Sequence, residues 1–388
     1  MRTIAIGAAG LGRAFMLMAP TLAADERVRL VAAADPRAAA RAQFQRDFGG
    51  RAYATVEELC ADRNLDMVYV ATPHQLHAEH ARLAFAAGKH ALVEKPMALT
   101  LEECQAMIDA ARAAQRQLIV GHSHSFDAPI RRTRELIASG AYGRLCMITA
   151  LNFTDFLYRP RRPEELDTAR GGGAVYNQAA HHVDVVRLLA EGRAKSVRAQ
   201  TGAWDAARPT EGAYSALLTF EDGAFATFTY SGYAHFDSDE FTGWIGEGGQ
   251  KKEPNAYGAA RRALDGDELR VKNARNYGGA EQPTLKRELL HQHFGVLIAS
   301  CEHADLRPLP EGVWIYADGE RRLEALPAPS VQRAEVIDEL YAAVLEGRPP
   351  LHDGAWALAT TEVCLAILQS AREQREITLR HQSALRAR

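Results

Sequence analysis

Residues 91–100 read ALVEKPMALT, and they set a carboxylate and an ammonium, Glu94 and Lys95, at the end of an apolar run. Taking two ions out of water without a purpose is costly. A lysine whose neutral form is accessible near working pH can remove a proton from an alcohol, and its charged form can donate to a developing alkoxide. Burial lowers the proton affinity of such a lysine, and an adjacent carboxylate raises it. The alternative is an ion pair that only closes a strand. A second constellation, GLGRAF, holds Gly10, Leu11, Gly12, Arg13, Ala14 and Phe15 directly after another apolar run. Two glycines provide the tight turn and the close backbone approach that a pyrophosphate needs, but Phe15 occupies the third glycine position of that fingerprint. About 25 residues past Gly10, Asp35 ends the next apolar run, near the spacing of an acid that accepts from an adenosine ribose. An acid there repels a 2′-phosphate and selects NAD over NADP, although Arg37 leaves room for NADP. The plainer role for Asp35 is a helix cap.

Histidines and arginines form a further set. In GHSHSFDAPIRR, His122 and His124 are alternate residues, which on a strand share one face. Arg159, Arg161 and Arg162 follow in a loop stiffened by Pro160 and Pro163. Guanidinium forks suit bidentate carboxylate recognition, so the combination points to a small anionic substrate rather than a neutral polyol. His181 and Asp184 are three apart on an expected helix, where the carboxylate can orient the imidazole. The histidine clusters His74/His77/His80, His122/His124 and His181/His182 lack cysteine ligands nearby, and no metal is expected. His291 and His293 read as helix-surface or packing residues.

These residues need elements to hold them. Apolar runs at 3–9, 28–35, 67–72, 90–95 and 118–122 alternate with helical stretches such as DPRAAARAQFQRDF and TLEECQAMIDAARAAQ, the latter opening on a capping box at Thr100 and Glu103. Strands apolar throughout and separated by helices form a parallel sheet covered on both faces, with sites at the strands' C-terminal ends. Past residue 124 the pattern changes to alternating runs with hairpin signals at Asp222-Gly223 and Asp318-Gly319. The expectation is α/β: a Rossmann-type domain over 1–124, then an α+β substrate-binding and oligomerisation domain over 125–388 with a largely antiparallel sheet. Helices are expected near 175–191, 283–300, 330–346 and 354–372, a long loop over 247–282, and a solvated basic tail, LRHQSALRAR. The 388 residues carry 46 basic and 49 acidic side chains, a net charge of −3 that argues against nucleic-acid or membrane-surface partners. Five scattered cysteines, no signal-peptide layout and no long apolar run indicate a cytoplasmic protein.

The ordered motifs GLGRAF, AAADPR, ATPHQLHAEHA, AGKHALVEKPMALT and GGGAVYNQAAHHVDVVRLL resemble the glucose–fructose oxidoreductase and inositol dehydrogenase family (Gfo/Idh/MocA). That resemblance implies a nicotinamide-binding first domain and a second domain that binds substrate and builds homo-oligomers, dimers or tetramers. It implies Lys95 as the catalytic lysine with Glu94 beside it. Thr72, Pro73 and His77 match the family's TPN..H segment, with His74 where asparagine is usual. His181 matches its active-site histidine, and Asn177 stands where the sugar dehydrogenases often carry aspartate. Within the family, GHSHSFDAPIRRTRELI and LNFTDFLYRPRRPEELDT resemble a narrower group that oxidises phthalate cis-4,5-dihydrodiol with NAD. Sugar or inositol dehydrogenases, NAD-dependent glycosidases and a non-catalytic NAD-binding sensor are the competing implications.

Overall fold

The structure, a computed structural model, describes residues 2–264, 266–282 and 290–385. The chain divides into two compact units. Met1–His122, Leu269–Leu285 and Val331–Thr361 make the first; Ser123–Glu268, Lys286–Ser330 and Glu362–Arg388 make the second. Each unit thus gathers several stretches of chain.

In the first unit, strands β1 (Ile4–Ala9), β2 (Val28–Ala34), β3 (Arg51–Tyr53), β4 (Met67–Val70), β5 (His90–Val93) and β6 (Leu118–Val120) form one sheet in the order β3-β2-β1-β4-β5-β6. Every pairing is parallel. The order reverses between β1 and β4, the crevice where such sheets take ligands. Helices α1 (Arg13–Ala24), α2 (Ala38–Phe48), α3 (Val56–Cys60), α4 (His77–Ala86) and α5 (Leu101–Ala113) connect the strands. Residues of β4 and β5 are almost wholly buried, as expected of strands covered on both faces. At α5, the Thr100 hydroxyl accepts from the Glu103 N–H at 3.1 Å and the Glu103 carboxylate accepts from the Thr100 N–H at 3.2 Å.

Phe15, which breaks the glycine fingerprint, is fully buried. Its ring meets Phe44, Phe48 and Tyr277 at 6.4, 6.3 and 5.0 Å. Tyr277 is tied down in turn by a 2.5 Å hydrogen bond to Asp47. An aromatic cluster thus fills the place where a third glycine would let helix press on sheet.

In the second unit come α6 (Ala128–Ala138), β7 (Leu145–Phe153), α7 (Ala180–Leu189), β8 (Ala194–Gly202), β9 (Ala213–Phe220), β10 (Phe225–Ser231) and α8 (Ala259–Ala263). After α9 (Glu268–Arg275, in the first unit from Leu269) follow β11 (Val296–Cys301), β12 (Ala304–Leu309), β13 (Gly312–Ala317), β14 (Arg321–Ala325), α10 (Ala334–Leu345, in the first unit), α11 (Gly354–Glu373, in the second unit from Glu362) and β15 (Ile377–Thr378). The sheet order is β14-β13-β12-β11-β7-β10-β9-β8-β15, antiparallel except for the β7–β10 pair. Both Asp-Gly hairpins form, joining β9 to β10 and β13 to β14.

Three expectations are corrected. The helix near 283–300 is absent over its described part: 290–295 is irregular and Val296–Cys301 is a strand, because Gly295 at φ +77° breaks the chain and VLIAS then alternates against β7. Residues 283–289 lie outside the described residues. The loop over 247–282 contains the short helices α8 and α9. The basic tail keeps Arg380 and His381 exposed but is not free over its described part: the Glu362 carboxylate accepts from the backbone N–H groups of Arg380 and His381, at 2.6 and 2.9 Å, and from Gln382 at 2.8 Å. Residues 386–388 lie outside the described residues.

Candidate active site

At the switch point of the first unit, the glycine turn is shaped for close approach. Gly10 takes φ +90°, and a Cβ there would lie 2.8 Å from the Ala71 carbonyl oxygen. A Cβ on Gly12 would meet nothing within 4 Å, so open space lies over the start of α1, which has no side-chain cap. The first turn of a helix with open space before it suits a pyrophosphate. Asp35, 5% exposed, sits beside this turn. Its Oδ2 accepts from the Leu11 N–H at 2.9 Å and from Arg37 Nη2 at 3.1 Å; its Oδ1 accepts from the Arg37 N–H and Nε at 2.9 and 3.0 Å. Arg37 also donates to the carbonyls of Leu11 and Tyr277, at 2.8 and 3.2 Å. A ribose at Asp35 therefore shares its carboxylate with a guanidinium.

The loops after β4 and β5 carry Thr72 and Lys95. His77 is fully buried, with Nδ1 2.9 Å from the Pro96 carbonyl oxygen and Nε2 2.9 Å from that of Thr72, so one ring braces both loops. Two carbonyl acceptors favour a doubly protonated ring. Burial works the other way and prevails, holding its pKa below the ordinary histidine value. The Thr72 hydroxyl lies 3.0 Å from His80 Nδ1, and the half-buried His74 ring is 5.7 Å from that of His77. Glu94 accepts from the Tyr69 hydroxyl at 2.5 Å; burial pushes its carboxyl up although Arg333, Tyr69 and Lys95 oppose this. Lys95 is half-buried at the loop's apex, and the Lys95–Pro96 peptide is cis.

In the second unit, three histidines named from the sequence converge on a residue that pattern reading did not single out, Phe294. The rings of His124, His181 and His182 lie 5.2, 4.8 and 4.7 Å from it. His124 and His181 meet edge to face at 4.7 Å. His124 Nδ1 is 2.6 Å from the Asp127 carboxylate, a partner equally unanticipated. His182 Nδ1 is 2.9 Å from the Tyr214 hydroxyl, its Nε2 has no partner, and burial drives its pKa down to about 3. Tyr230 stacks parallel to Phe294 at 6.1 Å and to Tyr214 at 5.5 Å. The result is a flat aromatic wall edged by imidazoles. Strand alternation does not align His122 with His124, because β6 ends at Val120 and His124 opens a 3₁₀ turn. His291 and His293 are not on a helix; both are buried, 2.8 Å from the carbonyls of Pro327 and Ile245 respectively.

Local chemistry explains how this wall is held. The segment before α7 contains a π-turn, Val175–Ala179, and Asn177 in it donates to the Gly173 carbonyl at 2.8 Å. Gly173 takes φ +82°, and a Cβ there would fall 2.1 Å from the Glu211 carboxylate. Glu211 accepts from the Val175 N–H at 3.0 Å, so only glycine fits the GGG turn. Asp184 accepts from the Ser125 hydroxyl, linking α7 to the turn that carries His124.

The three loop arginines have different surroundings. Arg159 donates to Asp155 at 2.8 Å and lies 3.5 Å from Glu247. Burial would lower the Arg159 pKa, but these two carboxylates raise it overall; burial pushes Glu247 up, and Arg159, His124 and Asn152 hold it below its ordinary value. Arg162 lies 3.2 Å from Glu164 and 3.4 Å from Glu165. Arg161 is stacked on Phe156 at 3.7 Å, with its nearest paired carboxylate, Glu165, 3.9 Å away; burial lowers its pKa to about 10. Its Nε has no hydrogen-bond partner. Of the three, Arg161 has the least counter-charge.

A six-stranded parallel sheet with a glycine turn and an acid at its switch point defines a dinucleotide-binding domain. The chain belongs to the Gfo/Idh/MocA family: residues 2–122 match its oxidoreductase, NAD-binding Rossmann-fold description and residues 130–250 its C-terminal domain. It is 50% identical over 379 residues, 95% of each chain, to 1-carboxy-3-chloro-3,4-dihydroxycyclohexa-1,5-diene dehydrogenase of Comamonas testosteroni. A solved protein of Bordetella bronchiseptica RB50 is 43% identical with a TM-score of 0.91, covering 97% of this chain and 100% of that one. The WlbA dehydrogenase of Bordetella pertussis, solved with NADH and UDP-GlcNAcA, shares the fold at 23% identity and a TM-score of 0.69 over 98% and 99% of the chains. The first unit is thus an NAD-binding Rossmann domain, and Gly10, Gly12 and Asp35 fit that cofactor. No described helix is long and apolar enough to cross a membrane.

Proposed function

We propose that this chain oxidises a carboxylated cyclohexadiene cis-diol, the hydroxyketone then becoming an aromatic diol. The observation that carries this reading is the second unit's wall of Phe294, Tyr230 and imidazoles, with the under-compensated Arg161 guanidinium packed on Phe156 nearby. A flat ring stacks on aromatic faces, and a ring carboxylate answers a guanidinium. The name of the Comamonas relative, a carboxylated dihydroxycyclohexadiene dehydrogenase, supports the same class. Phthalate cis-4,5-dihydrodiol, giving 4,5-dihydroxyphthalate, is the specific substrate proposed from the sequence motifs.

In this reading NAD accepts the hydride. Lys95 removes the hydroxyl proton, Thr72, Pro73, His74 and the bracing His77 shape the loop beside it, and Arg13 and Ala14 present the first turn of α1. His181 and Asn177 hold the diol oxygens, and Asp184 with Ser125 fixes α7. His122 and His124 are read as substrate-binding, and one of Arg159, Arg161 and Arg162, foremost Arg161, takes the carboxylate. The enzyme is read as a cytoplasmic homo-oligomer, with Leu217 and Phe225 exposed on β9 and β10 as candidate contact residues. The test is kcat/KM for phthalate cis-4,5-dihydrodiol against the uncarboxylated benzene cis-diol. One charge-assisted hydrogen bond of about 1.5–3 kcal/mol favours the carboxylated ring by roughly 10- to 150-fold. Equal values would remove the carboxylate from the reading.

A further inference from the structure

Oxidation of a ring cis-diol is only half of the conversion to an aromatic diol. Hydride and hydroxyl proton leave one carbinol carbon and give a ketone. The neighbouring carbon still bears a hydroxyl and a hydrogen. That hydrogen must leave as a proton, its electron pair forming the new ring C=C bond while the ketone oxygen gains a proton. No oxidant is involved in this second step. It needs a base at carbon in addition to the base at oxygen.

The second unit contains a carboxylate–imidazole pair. His124 and Asp127 are both buried, and the 2.6 Å contact at Nδ1 fixes the imidazole with Nε2 as its second nitrogen, turned away from Asp127. A carboxylate at one ring nitrogen holds the imidazole in a fixed orientation, the arrangement by which a third group orients a catalytic base. Phe294 stacks on one face of the ring and His181 abuts it at 4.7 Å. The pair lies in the turn that Ser125 ties to Asp184 of α7.

We propose that His124, positioned by Asp127, is a second catalytic base that aromatises the hydroxyketone before it leaves the enzyme. This rests on the cis-diol reading above. His124 Nε2 takes the carbon-bound proton, the ketone oxygen takes up a proton from solvent, and the proton on His124 then passes to solvent. Asp127 is the positioning residue.

Stopped-flow with phthalate cis-4,5-dihydrodiol and NAD separates the steps, following NADH at one wavelength and the aromatic product at another. In wild type the two signals should rise together. In His124→Gln and in Asp127→Asn, NADH should lead and the aromatic signal lag, its rate constant falling about 10²-fold or more. A substrate deuterated at the carbon not oxidised should slow only the aromatic phase. The readout is the ratio of the aromatic to the NADH rate constant within each variant, so a slower NADH phase from weaker substrate binding does not alter it, and NAD titration with far-UV circular dichroism checks that both variants fold. Aromatic formation in step with NADH in both variants, or a wild-type aromatic phase no faster than the ketone's decay in buffer, would overturn the proposal. Wild-type protein that yields no NADH from any ring cis-diol would instead defeat the underlying reading, and the proposal with it.

Discussion

The C-terminal segment offers a sharp test, because its composition suggests a free tail and its hydrogen bonds do not. Glu362 is 8% exposed, and its carboxylate accepts from Arg380, His381 and Gln382. Gln382 in turn accepts from Nε of Arg187, a fully buried residue of α7, at 3.0 Å. The Leu385 N–H donates to the Glu191 carbonyl at 2.8 Å. A chain ending at Leu379 loses all of these. Hydrogen bonds to a charged group contribute about 1.5–3 kcal/mol each, so three set a ceiling near 5–9 kcal/mol. Water entering the vacated groove recovers part of that, leaving a loss of about 3–5 kcal/mol. For a unit of this size that corresponds to a fall in Tm of roughly 6–20 °C. Differential scanning calorimetry of the truncated and full chains measures it, with Glu362→Gln expected to fall between them. A truncated chain melting within about 2 °C of the full one would refute the reasoning.

Other consequences are equally open to measurement. Phe15→Gly restores the glycine of the fingerprint but empties the Phe44–Phe48–Tyr277 cluster, so it should cost about 3–5 kcal/mol in urea unfolding without tightening NAD binding. Asp35→Ala frees Arg37 for a 2′-phosphate and should raise the NADP-to-NAD ratio of kcat/KM by about tenfold or more, since it removes a repulsive charge and releases a cation. His182 takes up a proton in the unfolded chain near pH 6.5 but in the fold only near 3, so its contribution to stability is complete above about 6.5 and is lost as pH falls toward 3, by up to roughly 5 kcal/mol. His182→Gln should flatten that acid limb in denaturant titrations run across the window.

What the sequence made legible follows from how local each signal is. The five apolar runs of the first unit and the Thr100 capping box depend on neighbours in sequence, and the structure has them where periodicity puts them. The edge strand β3, three residues long, carries too little pattern to be read. Phe15 announced that it needed a pocket, but Tyr277, which closes that pocket, is more than two hundred residues away. The same distance hid Phe294, whose surroundings were misread as helix because VLIAS can be counted on either period. Asp127 was in plain view three residues after His124, and the spacing that suggested Asp184 for His181 applied equally to this pair. The tail misled through composition: its basic side chains imply solvent, yet its backbone N–H groups are what Glu362 captures. Charge alone also overstated the arginine loop, since Arg159 and Arg162 are balanced by carboxylates of their own surroundings.

The most direct test of the central claim is steady-state NADH formation by the purified full-length protein with NAD and phthalate cis-4,5-dihydrodiol, alongside Lys95→Met and a myo-inositol control. The account predicts rapid NADH with 4,5-dihydroxyphthalate as product, little or none from inositol, and a kcat lower by about 10²- to 10⁴-fold in the variant with NAD affinity retained. Turnover of inositol in preference to the ring diol, or a variant as active as wild type, would contradict it.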